Sequence, residues 1–159
     1  VLATAPGGAS GVFDLDGGAL LSAAPALPSS GRVARAPAGE GVAFVDGDVV
    51  RFWSPGDGAQ QELPLGGARA LALAWSADAS RLALLVSEGE ERAELRVVDA
   101  RGATMFSEGV PGAARVAWAG DGELVLGGAS VRRVRPVAGL PVVWERPSRA
   151  TTADRCGSW

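Results

Sequence analysis

Between residues 69 and 99 the chain alternates short apolar runs with polar breaks. In "RALALAW" the period is two, with Leu71, Leu73 and Trp75 expected on one face and Ala70, Ala72 and Ala74 on the other. "SADAS" follows, rich in turn-forming Ser and Asp, and then the apolar run "RLALLV". Period alone leaves Ala74–Val86 open between helix and hairpin, and its Ala and Leu content favours helix. A second copy decides the matter. "AWAGDGELVLGG", from Ala117, matches "AWSADASRLALL", with Trp118 for Trp75, Asp121 for Asp78 and Leu124 near Leu82. Its connector "AGDG" carries two glycines, unfavourable within a helix and suited to a hairpin. Both copies therefore read as strand, turn, strand.

The repeat extends outward from this core. Four strands are expected at about 70–76, 81–87, 93–99 and 103–106, with the polar "SEGEER" between the second and third. The following unit reads "ARVAW", "ELVLG", "SVRRVR" and "PVVWE"; the preceding one reads "GRVAR", "GVAFV", "DVVRFWS" and "QQELPL". Four short antiparallel strands every 40 or so residues are the pattern of β-propeller blades, with a β-sandwich as the main rival. The expected fold is all-β, about three and a half blades: a half blade at 1–28, blades at 31–66, 69–109 and 112–147, and a tail at 148–159. No helix longer than about two turns is expected in 31–147.

The strand–turn–strand core resembles the bacterial WD40-like repeat of TolB-type propellers, whose pattern is W-S-P-D-G followed by an apolar strand. The matching stretches are Trp75-Ser76-Ala77-Asp78-Ala79 and Trp118-Ala119-Gly120-Asp121-Gly122, and the likeness covers most of 31–147. Trp53-Ser54-Pro55 looks like a third copy but falls at the end of a third strand, and is read as coincidence. The resemblance implies a repeat protein that binds other proteins, and it leans towards a bacterial cell envelope or periplasm.

Composition narrows the chemistry. The chain contains no His, Lys, Ile, Asn or Tyr, and all 15 basic residues are Arg. Without His, the usual general base, zinc ligand and Ser-His-Asp triad are missing. A net charge of −3 with interleaved signs gives no basic patch for nucleic acid, and no apolar run is long enough to insert in a membrane. The lone Cys156 cannot form an internal disulfide or build a metal site by itself.

Individual residues read mostly as structural. Asp14, Asp16, Asp46 and Asp48 lie in two turn stretches that lack the oxygen count of a calcium loop, and Asp78 and Asp121 read as turn residues bonding nearby backbone N–H groups. The acidic run at 88–91 reads as a solvated connector, and "RRVR" at 132–135, which could bind an anion, reads rather as the wet face or guarded edge of an outer strand. Trp75 and Trp118 are expected in equivalent buried sites because they recur at the repeat period, whereas Trp53, Trp144 and Trp159 are freer to mark an interaction surface. No spacing singles out a catalytic pair, so neither catalytic residue, metal nor cofactor is expected.

Two functions fit: a non-catalytic binding or scaffolding propeller, or a propeller domain serving a hydrolase or kinase as lid or positioning module. Aligning "GVFDLDGGALLSA" with "ELRVVDARGATMF" places Asp16 at the position of Asp99 and residues 1–3 at those of Leu84–Val86, within a blade. By that register the chain is part of a larger propeller, completed by further blades of the same parent chain or of another, and alone it would oligomerise.

Overall fold

A computed structural model describes residues 2–4, 10–13, 20–23, 32–37, 41–54, 56, 58–89 and 92–148. Among them the regular structure is almost entirely β, with a turn of 3-10 helix at Gly120–Gly122. The first sheet has three strands, β1 (Leu2–Thr4), β2 (Ser10–Phe13) and β3 (Leu20–Ala23). Three four-stranded sheets follow. The first joins β4 (Val33–Arg35), β5 (Val42–Asp46), β6 (Val49–Trp53) and β7 (Gln60–Pro64). The second joins β8 (Arg69–Trp75), β9 (Arg81–Ser87), β10 (Ala93–Asp99) and β11 (Thr104–Gly109). The third joins β12 (Ala113–Trp118), β13 (Leu124–Gly128), β14 (Ser130–Val134) and β15 (Val142–Pro147). Every sheet is an antiparallel meander in chain order.

Sheets stack face to face through their first strands, β8 touching both β4 and β12. The consequence for side chains is clearest in β9, where Leu82 to Ser87 are all buried. Leu82, Leu84 and Val86 point into one core with Ala43, Val50 and Phe52 of the preceding sheet. Ala83 and Leu85 point the other way, into a second core with Leu124, Leu126 and Val134 of the following sheet. A strand buried on both faces has no polar side, which is why "LALLV" gives no period-two signal.

In β8 the structure departs from simple alternation. A bulge between Ala70 and Ala72 inserts one residue against β9. Ala70 therefore joins Leu73 and Trp75 on the first core, while Leu71 joins Ala72 on the second. The single-face assignment of Leu71 with Leu73 and Trp75 is corrected by that extra residue. Strand β11 also runs to Gly109 rather than 106, because Ser107 and Glu108 continue the pairing with β10 on an outer strand that tolerates polar residues.

In the N-terminal sheet, Leu2 pairs with Val12 and Ala3 with Gly11. The central sheet pairs Leu85 with Leu95 and Val86 with Glu94, the same register under the alignment given above. Asp14 and Asp16 lie outside the described residues.

The two tryptophan-turn copies close differently. Around the first, Ser76 N–H donates to Arg81 O at 2.8 Å while Arg81 N–H donates to Ser76 Oγ at 3.0 Å; around the second, which is one residue shorter and contains the 3-10 turn, Ala119 N–H reaches Glu123 O at 2.8 Å. Both need a left-handed residue four positions after the tryptophan: Gly122 at φ +74° and Ala79 at φ +56°. Glycine takes that conformation freely, whereas alanine's Cβ crowds the following carbonyl. Ala79→Gly is expected to stabilise the protein by about 0.5–1 kcal/mol and Gly122→Ala to destabilise it by about 1 kcal/mol. Denaturant melts of the two variants check this, and a loss of stability in Ala79→Gly would contradict it.

Candidate functional site

The seams between sheets are pinned by tryptophan. Trp75 Nε1 donates to Ala34 O on the preceding first strand at 3.1 Å, and Trp118 Nε1 donates to Ala74 O at 2.9 Å. Each acceptor is the equivalent residue of its sheet, one before the tryptophan position. The two indoles thus occupy equivalent sites, but they are half-buried rather than fully enclosed. Their rings pack on the cores while the N–H reaches a carbonyl at the sheet boundary. Phe52 meets Trp75 edge to face at 6.0 Å, and the Arg81 guanidinium lies 4.8 Å from the centre of the Trp118 ring.

Two of the aspartates that sequence places in turns, Asp48 and Asp78, accept turn N–H groups. Asp78 accepts from Ser76 Oγ at 2.6 Å, Ser80 Oγ at 2.8 Å and Ser80 N–H at 3.1 Å. Those bonds, the Ser76 hydroxyl first, lower its pKa from 3.8 to about 2. Asp46 pairs with Arg51 at 3.0 Å, and Asp48 accepts from Gly67 N–H at 2.9 Å. Asp99, which sequence did not single out, accepts from the N–H groups of Arg101 and Ala103 at 2.8 and 2.9 Å. The signal was present in "DARGA", a turn with Gly102 at φ +80°. The side chain of Asp121 is outside the described residues, as are residues 90 and 91 of the acidic run.

Arginines 132, 133 and 135 are neither a free anion site nor an edge guard. Strand β14 lies inside its sheet, between β13 and β15. Arg135 Nε donates to Glu123 Oε1 at 2.9 Å, Arg133 pairs with the other carboxylate oxygen, and Arg132 reaches Pro111 O at 3.1 Å. Glu123 is buried, and the Arg135 hydrogen bond, joined by the Arg133 charge, holds its carboxyl below the ordinary range. Sequence offered no sign of this clamp, because Arg133 and Arg135 follow Glu123 by 10 and 12 residues and meet it only through the β13–β14 register. Glu94 is similarly lowered, chiefly by its bond from Arg96, with Ser107 adding another.

Two tryptophans without a place in the repeat separate. Trp53 is buried, which corrects the expectation that it marks a free surface: it ends β6 opposite the buried Val42. Trp144 is 38% exposed. Trp159 and Cys156 are outside the described residues. A cleft of about 260 Å³ opens beside Trp75, lined by Phe52, Trp53, Ser54 and Gln61. Among the described residues no three His, Cys, Asp or Glu side chains gather as metal ligands, and no helix is long and apolar enough to cross a membrane.

Among the described residues, most of the large exposed apolar side chains fall in one stretch of chain, with Val33 on β4 apart. Val137, Val142, Val143 and Trp144 lie within eight residues, on the connector after β14 and on β15, the outer strand of the third sheet. Val142 is 51% exposed and Val137 52%. Met105, 62% exposed, lies on β11, the outer strand of the neighbouring sheet. The connector itself is anchored: Gly139 N–H donates to Glu108 on β11 at 3.1 Å, and Leu140 packs on the second core.

Stacked four-stranded meanders joined through their first strands define a β-propeller, and solved structures agree. Hsv2 of Kluyveromyces lactis, a seven-bladed propeller protein with its loop 6CD replaced by a Gly-Ser linker, is similar with a TM-score of 0.69 at 18% identity. The likeness covers 88% of this chain and 52% of that one. A chain of the mitotic checkpoint complex matches with a TM-score of 0.62 at 14% identity over 79% of this chain and 40% of its own. A protein of unknown function from Bacteroides caccae matches at 0.60 and 12% identity, over 92% of this chain and 56% of its own. The chain thus spans about half the length of these structures. No family model matches, and no curated protein sequence does.

The Asp78 turn carries a pH signature. Its carboxyl titrates at about 2 folded against 3.8 unfolded, so its contribution is complete above pH 4 and is lost as pH falls through the folded value. The difference in melting temperature between wild type and Asp78→Asn is expected to hold constant above about pH 4 and to close between about pH 4 and 2. A gap independent of pH would contradict the hydrogen-bonded carboxylate.

Proposed function

We propose that this chain is a non-catalytic propeller module that binds another protein through the outer corner formed by Val137, Val142 and Val143. The observation that carries the reading is the clustering of these side chains on an anchored connector and an outer strand. Exposed apolar residues are ordinary when scattered and mark contact surfaces when contiguous. An outer strand also has one edge of unpaired backbone groups to offer an extended partner segment. The described carboxylates Asp46, Asp48, Asp78, Asp99, Glu94 and Glu123 are engaged in turns and ion pairs, which supports a scaffold over an acid–base site. Likeness to a chain of the mitotic checkpoint complex, itself an assembly, gives the same reading further support.

Val142→Thr with Val143→Thr tests it, since threonine keeps the strand-favouring branched shape. The paired variant is expected to melt with the wild type and to lose at least about tenfold in affinity for a purified partner first isolated with the wild type. Equal affinity in both proteins would overturn the assignment of this corner.

A further inference from the structure

The two seams between four-stranded sheets differ in what covers the indole. Three backbone bonds set the correspondence: Ala36 N–H to Gly41 O, Ser76 N–H to Arg81 O and Ala119 N–H to Glu123 O, each 2.8 Å. Val42 lies opposite Arg35 as Leu82 lies opposite Trp75 and Leu124 opposite Trp118. Gly41, Arg81 and Glu123 therefore hold one position in three successive sheets.

At the second seam that position carries a cation over the ring. The Arg81 guanidinium lies 4.8 Å from the centre of the Trp118 ring, and its Nη2 would stand 3.4 Å from a Cβ on Gly122. At the first seam the indole is Trp75, the left-handed turn residue is Ala79, and Gly41 has no side chain to reach either. The cleft of about 260 Å³ opens there, with Trp75, Ala79 and Gly41 all in its wall. It holds the place that a guanidinium fills one seam further on. The backbone at Gly41 would accept a side chain, since its φ is outside the left-handed region and a Cβ would meet the Trp53 carbonyl oxygen at an ordinary 3.6 Å.

The rest of the wall suits the same group. Phe52 adds a second ring beside Trp75, where the register of the central sheet has only Val97. Aromatic faces attract a guanidinium, which is planar and weakly hydrated. Ser54 and Gln61 bring oxygen acceptors for its N–H groups. The carboxylates Asp78 and Asp99 adjoin the lining residues Ala79 and Ala100 in sequence, two negative charges against the one positive charge of Arg101. Among the described residues the lining itself is uncharged. A free arginine would bring an ammonium and a carboxylate that nothing in this wall meets, whereas an arginine within a polypeptide brings neither.

We propose that this cleft binds the guanidinium of an arginine side chain carried by a partner protein, laid over Trp75 as Arg81 is laid over Trp118. The site lies on a different seam from the corner of Val137, Val142 and Val143, and does not rest on the reading of that corner.

Titration of the full chain with N-acetyl-arginine N-methylamide tests the proposal. The protein is labelled with nitrogen-15 at tryptophan, and its indole signals are assigned by Trp75→Phe and Trp118→Phe. The Trp75 signal is expected to shift saturably while that of Trp118, already covered by Arg81, stays in place. The uncharged citrulline analogue should bind at least about threefold more weakly, and free arginine no more tightly than the blocked form. Gly41→Arg, which supplies the cation from within the chain, should abolish the Trp75 response and leave the Trp118 signal at its native position. A Trp75 signal that stays still, or shifts of Trp118 as large as those of Trp75, would overturn the site. Equal binding of the arginine and citrulline probes to the wild type would overturn the guanidinium, and this comparison needs no variant to fold. Tighter binding of free arginine would overturn the polypeptide source.

Discussion

An indole N–H that reaches back to the carbonyl of the preceding first strand is the contact around which these sheets are spaced. A buried or half-buried carbonyl at a sheet boundary needs a donor, and an antiparallel ladder leaves none to spare across the seam. Trp75 and Trp118 supply it while laying an aromatic ring over the core beside it. Each bond contributes about 1 kcal/mol net, small beside the apolar burial it accompanies. Its value lies in position: burial is indifferent to a small sliding of one sheet over another, and a directional bond is not.

Everything on the stacking axis follows from sheets buried on both faces. Strand β9 is apolar from Leu82 to Val86 because both its faces are covered, and the outer strand β7 is largely polar because water reaches it. Buried Glu123 is held between Arg133 and Arg135, while Asp78 and Asp99 close turns nearer the surface. Such bracing leaves connectors and outer strands as the places where surface chemistry varies, and there the apolar corner around Val142 is found.

The four-strand period, the hairpin in place of a helix and the turn roles of Asp48 and Asp78 were legible from sequence, whereas Asp46 ends β5 and pairs with Arg51. Repetition supplied what period could not, since two copies with different connectors exclude a helix that one copy allows. The face of Leu71 was not legible, because a bulge shifts alternation without changing composition. The burial of Trp53 was not legible either, because it lies outside the tryptophan period and is enclosed beside the buried Val42 of the paired strand. The Glu123 clamp was hidden because its partners meet by register rather than by spacing. The candidate contact corner is only partly legible, since valines on an outer strand resemble valines in a core until the neighbouring sheets are placed.

If stacking pinned by tryptophan is what joins the sheets, coupling should run between neighbours only. Native-state hydrogen exchange of Trp118→Phe, read at backbone amides, tests this most directly. The account predicts reduced protection in β12–β15 and along β8, with amides of β4–β7 unchanged. Uniform loss of protection across all four-stranded sheets, or no change at the β8–β12 seam, would contradict it.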